Sequence, residues 1–182
     1  MHRTMLCVGA GPLHCYTIKA AQALGLCVIA TDCNSDAPGF AIAEESFVID
    51  VYDINGHRQL AKVLEDELCG VTCAGGDAAP TVAACCHEAG LPGIPYCVAV
   101  QTWNKVRVRE KLSSDGLGKY QPSWAVSAFR NGSINTFLVQ EKLRQWRRLV
   151  IKPVSQRASR GITMVENAGQ AEHAWKHAHQ AS

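Results

Sequence analysis

The spacing of apolar and polar positions divides the first hundred residues into alternating strands and helices. Short apolar runs in "TMLCVGAG", "LCVIATD", "SFVID" and "VTCAGGD" predict four strands. The run in "LCVIATD" is continuous, as expected for a strand covered on both faces. The segments between them have helical spacing, and Pro12 and Gly25 stand where the first helix would begin and end. This alternation predicts an α/β fold, a Rossmann-like doubly wound parallel sheet with right-handed crossovers.

One of these helices is predicted across "DINGHRQLAKVLEDELCG", where the apolar residues share one face. Those residues are Leu60, Val63, Leu64 and Leu68. After "LPGIPY" the pattern changes, which places a domain boundary between Tyr96 and Asn104 and predicts domains at residues 1–103 and 104–182.

The second part has a mixed pattern of helices and strands. "TWNKVRVREKLSS" predicts a charged helix, "SWAVSA" a short strand and "SINTFLVQEKLRQW" a further helix. "RLVIKPV" and "GITMV" predict two strands that flank a polar loop, and "NAGQAEHAWKHAHQA" predicts a last helix.

Composition narrows the class of protein. Of the 182 residues 47% are hydrophobic, which is enough for a core, and a net charge of +2 offers no electrostatic footprint for nucleic acid or a membrane surface. No apolar run approaches the roughly 20 residues of a spanning helix, and the N-terminus lacks the apolar stretch of a signal peptide. We therefore expect a soluble, cytoplasmic protein whose nine cysteines are mostly buried, reduced thiols.

Two glycines, Gly9 and Gly11, follow the first strand and open the first helix. They allow a tight turn, and the helix N-terminus offers unpaired N–H groups to an anion. A dinucleotide site would carry a third glycine where this chain has His14, whereas Asp32 stands where a ribose-binding acid would lie. The loop is therefore compatible with a structural turn, a small-anion site or a dinucleotide site.

A second glycine loop, "AGGDAAP", follows the fourth strand. It places Asp77 at the carboxyl end of that strand, where ligands bind in open α/β sheets. Asp77 is equally suited to cap the next helix, so both interpretations stay open.

Lys152 ends the apolar run "RLVI" and is followed by a loop of small polar residues. Backbone N–H groups and the hydroxyls of Ser155 and Ser159 are suited to phosphate oxygens, to which Lys152 and Arg160 would add positive charge. Gly161 would let the chain enter the next strand. The alternative is a plain hairpin whose lysine reaches solvent.

The ordered set of motifs resembles the ATP-grasp superfamily, and most nearly its carboxylate–amine ligases. The motifs are "VGAGPLHCYTIKAAQALG", "ATDCNSDAPGFAIAEE", "GGDAAPTVAACCHEAGLPGIP", "TWNKVRVREKL", "VIKP" and "SRGIT", and they span nearly the whole chain. The resemblance implies a pre-ATP-grasp domain at residues 1–103 that binds the acceptor substrate, with Gly9, Gly11 and Asp77 as its contacts. It also implies a partial α+β ATP-grasp subdomain at residues 104–182.

For the nucleotide, the resemblance implies that Lys105 and Lys152 contact the phosphates of ATP. The loop "SQRASRG", with Ser155, Ser159, Arg160 and Gly161, would close over them. It departs from the family in having Gln156, Arg157 and Ala158 in place of a glycine-rich middle.

The family's magnesium-binding acids and adenine-binding hinge have no counterpart by motif before Ser182. We therefore expect an N-terminal portion of an ATP- and magnesium-dependent ligase that is inactive alone. In the complete enzyme a carboxylate would become an acyl phosphate, and an amine or similar nucleophile would displace phosphate. Small-molecule substrates and possible self-association follow as the expected partners. The alternatives are an NAD(P)-binding Rossmann oxidoreductase and a non-catalytic nucleotide-binding module.

Overall fold

The computed structural model describes residues 3–74, 78–127, 134–155 and 159–181. The chain divides into two compact units, Met1–Trp103 and Asn104–Ser182. The strands of the first unit are β1 (Thr4–Val8), β2 (Cys27–Asp32), β3 (Glu45–Val48) and β4 (Leu68–Thr72). Its helices are α1 (Pro12–Ala23), α2 (Ile54–Val63), α3 (Ala79–Glu88) and α4 (Tyr96–Trp103), with a 3-10 turn at Pro38–Ala41.

The first unit is a parallel sheet with strand order β3-β2-β1-β4, and apolar side chains cover both of its faces. On one face Cys7 and Val28 pack against Ile18 of α1, and on the other Leu6 packs with Ala61 of α2. The prediction of a doubly wound parallel sheet is therefore confirmed. Because β2 and β4 flank β1, the strand order reverses between β1 and β4, and ligands of such sheets bind at the carboxyl ends of the strands there.

The helix predicted across "DINGHRQLAKVLEDELCG" is wrong at its C-terminal end. α2 ends at Val63, whose side chain is 82% exposed, and Leu68 already belongs to β4. The chain turns at Leu64, and the backbone N–H of Thr4 bonds to the carbonyl of Glu67, which brings this segment beside β1. Pairing of β4 with β1 therefore outweighs the helical spacing of the last seven residues of this segment, 64–70.

The described part of the second unit contains three α-helices and a two-stranded antiparallel sheet. Its elements are α5 (Lys105–Ser114), α6 (Thr136–Trp146), β5 (Leu149–Ile151), β6 (Thr163–Val165) and α7 (Ala171–Gln180). Leu149, Ile151 and Val165 pack against α6 and α7 in the core of the unit. The two predicted strands around the polar loop are thus present as a hairpin.

Two expectations for the second part are wrong. The single helix predicted across "TWNKVRVREKLSS" is two helices, because Asn104 ends the first and its side chain accepts hydrogen bonds from Val106 and Arg107 at the start of the second. The strand predicted at "SWAVSA" is absent from residues 123–127, and Ala128 lies outside the described residues. Within the described part of this unit the sheet has only β5 and β6, so that segment has no strand to pair with.

The cysteine prediction holds in part. Cys7, Cys85 and Cys86 are buried, but Cys33 and Cys97 are exposed and the other four are half-buried; no disulfide links any of the nine. Across the described ranges, every helix is too short or too polar to cross a membrane.

Candidate functional site

The outer face of the β5–β6 hairpin carries an exposed apolar pair. Val150 and Met164 are direct cross-strand partners, and their side chains are 58% and 55% exposed. The inner face is covered by α6 and α7, so alternation along the strands leaves these two on the side facing away from the core. An exposed apolar pair on an otherwise packed sheet is a flat surface suited to a planar ring.

Lys152 is exposed and directly follows β5, which ends at Ile151, so it lies two residues beyond Val150 in sequence. The hairpin therefore carries an apolar floor, the exposed pair Val150 and Met164, and an exposed lysine just past the end of one of its strands. The sequence indicated Lys152 but not the apolar floor. The alternation of inward and outward positions along "LVI" would have indicated that Val150 lies on the outer face.

The structure brings Lys105 to the polar loop that follows Lys152. The backbone N–H of Lys105 donates to the carbonyl oxygen of Val154 at 3.0 Å, and its Nζ lies 3.4 Å from the same oxygen. Asn104 fixes this arrangement, since it caps α5 immediately before Lys105. Lys105 and Lys152, which are far apart in sequence, thus both lie next to the loop that follows β5.

The remaining predicted loop residues lie in different environments. Ser155 is half-buried, whereas Ser159 and Arg160 are exposed, and Ser159 has a left-handed backbone with φ of 59°. Gly161 is buried with φ of 69°, and a Cβ there would lie 3.1 Å from Cα of Ala178 in α7. Close packing against α7 thus accounts for this glycine, whatever else the loop does. Residues 156–158, the middle of the loop, lie outside the described residues.

In the first unit, His14 takes the space beside Gly9. Gly9 has φ of 103°, and a Cβ there would lie 2.5 Å from Nε2 of His14. The His14 ring is buried against this turn, and its Nε2 lies 3.7 Å from Sγ of Cys73. The residue at the third-glycine position thus fills the space that a side chain at position 9 would need.

The front loop, residues 9–11 after β1, has most of its backbone N–H groups hydrogen-bonded within the protein. Gly9 donates to the carbonyl of Thr31 at 2.8 Å, and Ala10 donates to Oδ2 of Asp32 at 2.8 Å. Gly11 is the N-cap of α1, and Pro12 at the start of that helix has no N–H to offer. Few donors therefore remain for an anion, which favours the structural turn over a dinucleotide site.

Asp32 holds the loop rather than presenting a free carboxylate. Its Oδ1 also accepts from the N–H of Asn34 at 3.0 Å. Burial acts to raise the pKa of Asp32, but the hydrogen bonds from Ala10 and Asn34 outweigh it and keep the pKa below its usual value. The acid that the sequence offered as a ribose ligand is thus engaged with the backbone on both oxygens.

A cavity of about 280 Å³ opens at the carboxyl end of β4. Thr72 and Cys73 line it from the strand, and Val82 and Ala83 line it from α3. Asp77, the predicted ligand in the next loop, lies outside the described residues. In the described ranges we find no group of three His, Cys, Asp or Glu side chains that could hold a metal ion, so we assign no magnesium ligand among them.

Comparison with known proteins identifies the class: the chain is similar to ATP-grasp enzymes over nearly its whole length, which confirms the resemblance seen in the sequence. It is 29% identical over 176 residues to the formate-dependent phosphoribosylglycinamide formyltransferase of Prochlorococcus marinus, covering 96% of this chain and 43% of that protein. The corresponding protein of Burkholderia vietnamiensis is 31% identical over 180 residues, covering 97% and 42%.

Solved structures share the fold. N5-carboxyaminoimidazole synthetase from Staphylococcus aureus complexed with ADP superposes with a TM-score of 0.69 at 16% identity, covering 100% of this chain and 46% of that one. L-Amino acid ligase from Bacillus licheniformis gives a TM-score of 0.62 at 20% identity, covering 96% and 42%. No family model matches the chain. The chain thus spans less than half the length of the relatives it matches, and corresponds to their N-terminal part.

Proposed function

We propose that this chain supplies part of the nucleotide site of an ATP-dependent carboxylate–amine ligase. The observation that carries the proposal is the outer face of the hairpin, where Val150 and Met164 form an exposed apolar floor beside Lys152. Apolar contact suits the adenine ring, and a lysine at the edge of that contact suits the phosphates. The similarity to ATP-grasp enzymes supports the same assignment.

Lys105 is the second cation of the proposed site. Its side chain and backbone both contact Val154, two residues beyond Lys152, so both lysines serve one phosphate region. Ser155, Ser159 and Arg160 belong to the loop that would cover those phosphates. In this proposal the lysines bind and orient the triphosphate, and the loop excludes water.

In the complete reaction a carboxylate oxygen attacks the terminal phosphorus and ADP leaves, and the nitrogen of an amine then attacks the acyl carbon and phosphate leaves. The described residues supply binding and charge for the first step. Magnesium would neutralise charge on the phosphates, and we assign none of its ligands here. The first unit, with Gly9, Gly11 and Asp77 at its loops, is proposed to bind the acceptor.

Binding of ATP and of adenosine to the full chain, measured by calorimetry, tests this site. Lys152→Ala and Lys105→Ala should each weaken ATP binding about tenfold or more, because each removes a charged contact to phosphate. Adenosine binding should change little in these two variants. Lys111→Ala is the matched control, since Lys111 lies on the same helix as Lys105, is exposed and forms a surface ion pair with Asp115.

The apolar floor is tested separately by Met164→Gln, which should weaken ATP and adenosine binding by the same factor. Unchanged ATP affinity in both lysine variants would leave the plain hairpin as the better interpretation. Binding of NADH but not ATP would instead favour the oxidoreductase alternative. ATP binding without ligase activity, measured on the whole protein that the reading frame encodes, would favour the non-catalytic module.

A further inference from the structure

Cys73 and His14 form a thiol–imidazole pair that the proposed ligase function does not use. His14 lies near the start of α1 and Cys73 just beyond β4, and Nε2 of the imidazole lies 3.7 Å from Sγ. His14 follows β1 and Cys73 follows β4, and the strand order reverses between these two strands. The contact is therefore produced by the topology of the sheet and not by local sequence.

The imidazole is held in one position by its surroundings. Gly9 has no side chain where the ring lies, and any Cβ there would be 2.5 Å from Nε2. The ring is about nine-tenths buried, and its Nδ1 has no hydrogen-bond partner among the described residues. Among the described residues, the hydrogen-bonding contact of this ring is that of Nε2 with the thiol of Cys73.

The protonation state of the ring suits a base. Burial lowers the pKa of His14, against an opposing effect from Asp32, so the imidazole is neutral at pH 7. A neutral imidazole with its proton on Nδ1 accepts a proton at Nε2, the nitrogen that faces the thiol. A thiol next to such a base is a stronger nucleophile than a thiol in a plain apolar site.

Cys73 also lines the apolar cavity at the end of β4. Val71, Val82 and Ile94 contribute to its walls, and its volume is about 280 Å³. A cavity of this size and character accepts a small uncharged molecule and disfavours charged ones. A small uncharged electrophile that enters the cavity can therefore reach the thiol, whereas a charged one is disfavoured there.

The other cysteines lack this combination. Burial raises the pKa of Cys7 and of Cys85 to about 12, and burial also raises the pKa of Cys86, which lines the same cavity. Cys33 is exposed, but its pKa is raised, by desolvation and then by Asp32. Cys86 is thus the comparison for a thiol that lines the cavity without such a base. Cys33 is the comparison for an exposed thiol without such a base.

From this geometry we propose that Cys73 is a modification site. Its thiol, activated by His14, adds to small uncharged electrophiles in which a carbon–carbon double bond is conjugated to a carbonyl group. Nε2 of His14 takes the thiol proton while sulfur forms a bond to the β-carbon of the electrophile. The α-carbon then takes a proton from the imidazolium. The addition has no leaving group and needs no oxidant.

The test is alkylation of the full chain by limiting N-ethylmaleimide at pH 7, with the initial rate at each cysteine measured by peptide mass spectrometry. Cys73 should react about tenfold or more faster than Cys86 and faster than the exposed Cys33 and Cys97. His14→Gln keeps a polar group of similar reach but cannot take the proton. It should slow Cys73 about tenfold or more and leave the rates at Cys33 and Cys97 unchanged.

Two outcomes would overturn the proposal. One is a wild-type chain in which Cys33 and Cys97 react faster than Cys73. The other is a His14→Gln variant, folded by circular dichroism, in which Cys73 reacts at the wild-type rate. Because the wild-type ranking needs no substitution, the proposal stays falsifiable if the variant does not fold. Neither result bears on ATP binding, so this inference stands or falls independently of the proposed function.

Discussion

Gly161 lies so close to Ala181 that a Cβ atom at Gly161 would be 2.8 Å from the Cβ of Ala181. Gly161 also has φ of 69°, which strains any other residue. Gly161→Ala should therefore lower the free energy of unfolding by about 2–4 kcal/mol, through backbone strain and overpacking together.

The matched control for this prediction is Gly116→Ala. Gly116 has φ of 77°, but nothing lies within 4 Å of its ideal Cβ position, so only the backbone strain applies. We expect a loss of about 1–2 kcal/mol there, measured by urea denaturation. Equal losses at the two positions would contradict the packing of Gly161 against α7.

Asp32 is predicted to stabilise the first unit through the two N–H groups it accepts, those of Ala10 and Asn34. Asp32→Ala leaves both donors without this partner and should cost about 1–3 kcal/mol of unfolding free energy. Asp36→Ala, a change at an exposed position in the same turn, should cost less than about 0.5 kcal/mol. Similar losses in both variants would show that the loop does not depend on Asp32.

The same carboxylate gives a pH prediction. Because its folded pKa lies below its unfolded value of about 3.9, its contribution is complete above that pH and is lost as the pH falls through the folded pKa. The difference in stability between wild type and Asp32→Asn should therefore be constant from pH 7 to 5 and shrink below about pH 4. A difference that grows in acid would contradict the sign of this shift.

His57 predicts a second effect of pH, at higher values. Its ring is fully buried, with Nε2 2.8 Å from Oγ1 of Thr31 and Nδ1 2.8 Å from the carbonyl of Asp53. Burial lowers its pKa, so stability is complete above the unfolded value of about 6.5 and falls as the pH drops below it. The urea midpoint should decrease from pH 7 to 5.

Substitution separates this effect from others. His57→Gln should reduce the slope of stability against pH between 7 and 5, although His14 adds to the same slope. A slope that is equal in wild type and His57→Gln would exclude His57 as its source.

Asn104 is predicted to fix the start of α5. Its side chain accepts from the N–H groups of Val106 and Arg107, so Asn104→Ala should cost about 1 kcal/mol of unfolding free energy. Asn104→Asp retains the acceptor and should be within about 0.5 kcal/mol of wild type. Thermal unfolding followed by circular dichroism measures both, and an unchanged midpoint for the alanine variant would contradict the capping role.

The centre of the sheet could be predicted from sequence because β1 and β2 are dense apolar runs that are largely buried, whereas β3 is an exposed edge strand. The end of α2 could not, because Leu64 and Leu68 satisfy helical spacing while the backbone pairing of β4 with β1 decides the outcome. Local spacing carries no information about a strand more than 60 residues away. The strand predicted at residues 123–127 failed for the complementary reason, since pattern alone cannot supply a partner.

At the candidate sites, residue types were easier to predict than their neighbours. The sequence singled out Lys105 and Lys152, but only the fold shows that Lys105 contacts the loop after Lys152. It also marked His14 as a departure from a glycine pattern without indicating its contact with Cys73. That contact joins residues 59 positions apart in sequence, and it depends on the strand order.

The internal bonds of the front loop limit how the first unit could be redesigned. Replacing His14 by glycine would complete the three-glycine pattern on paper, yet the amides of Gly9 and Ala10 would still be bound to Thr31 and Asp32. A designer seeking a dinucleotide binder would first have to supply a substitute acceptor for Ala10 and so release the carboxylate. Pattern matching to consensus is therefore a poor guide for engineering this scaffold.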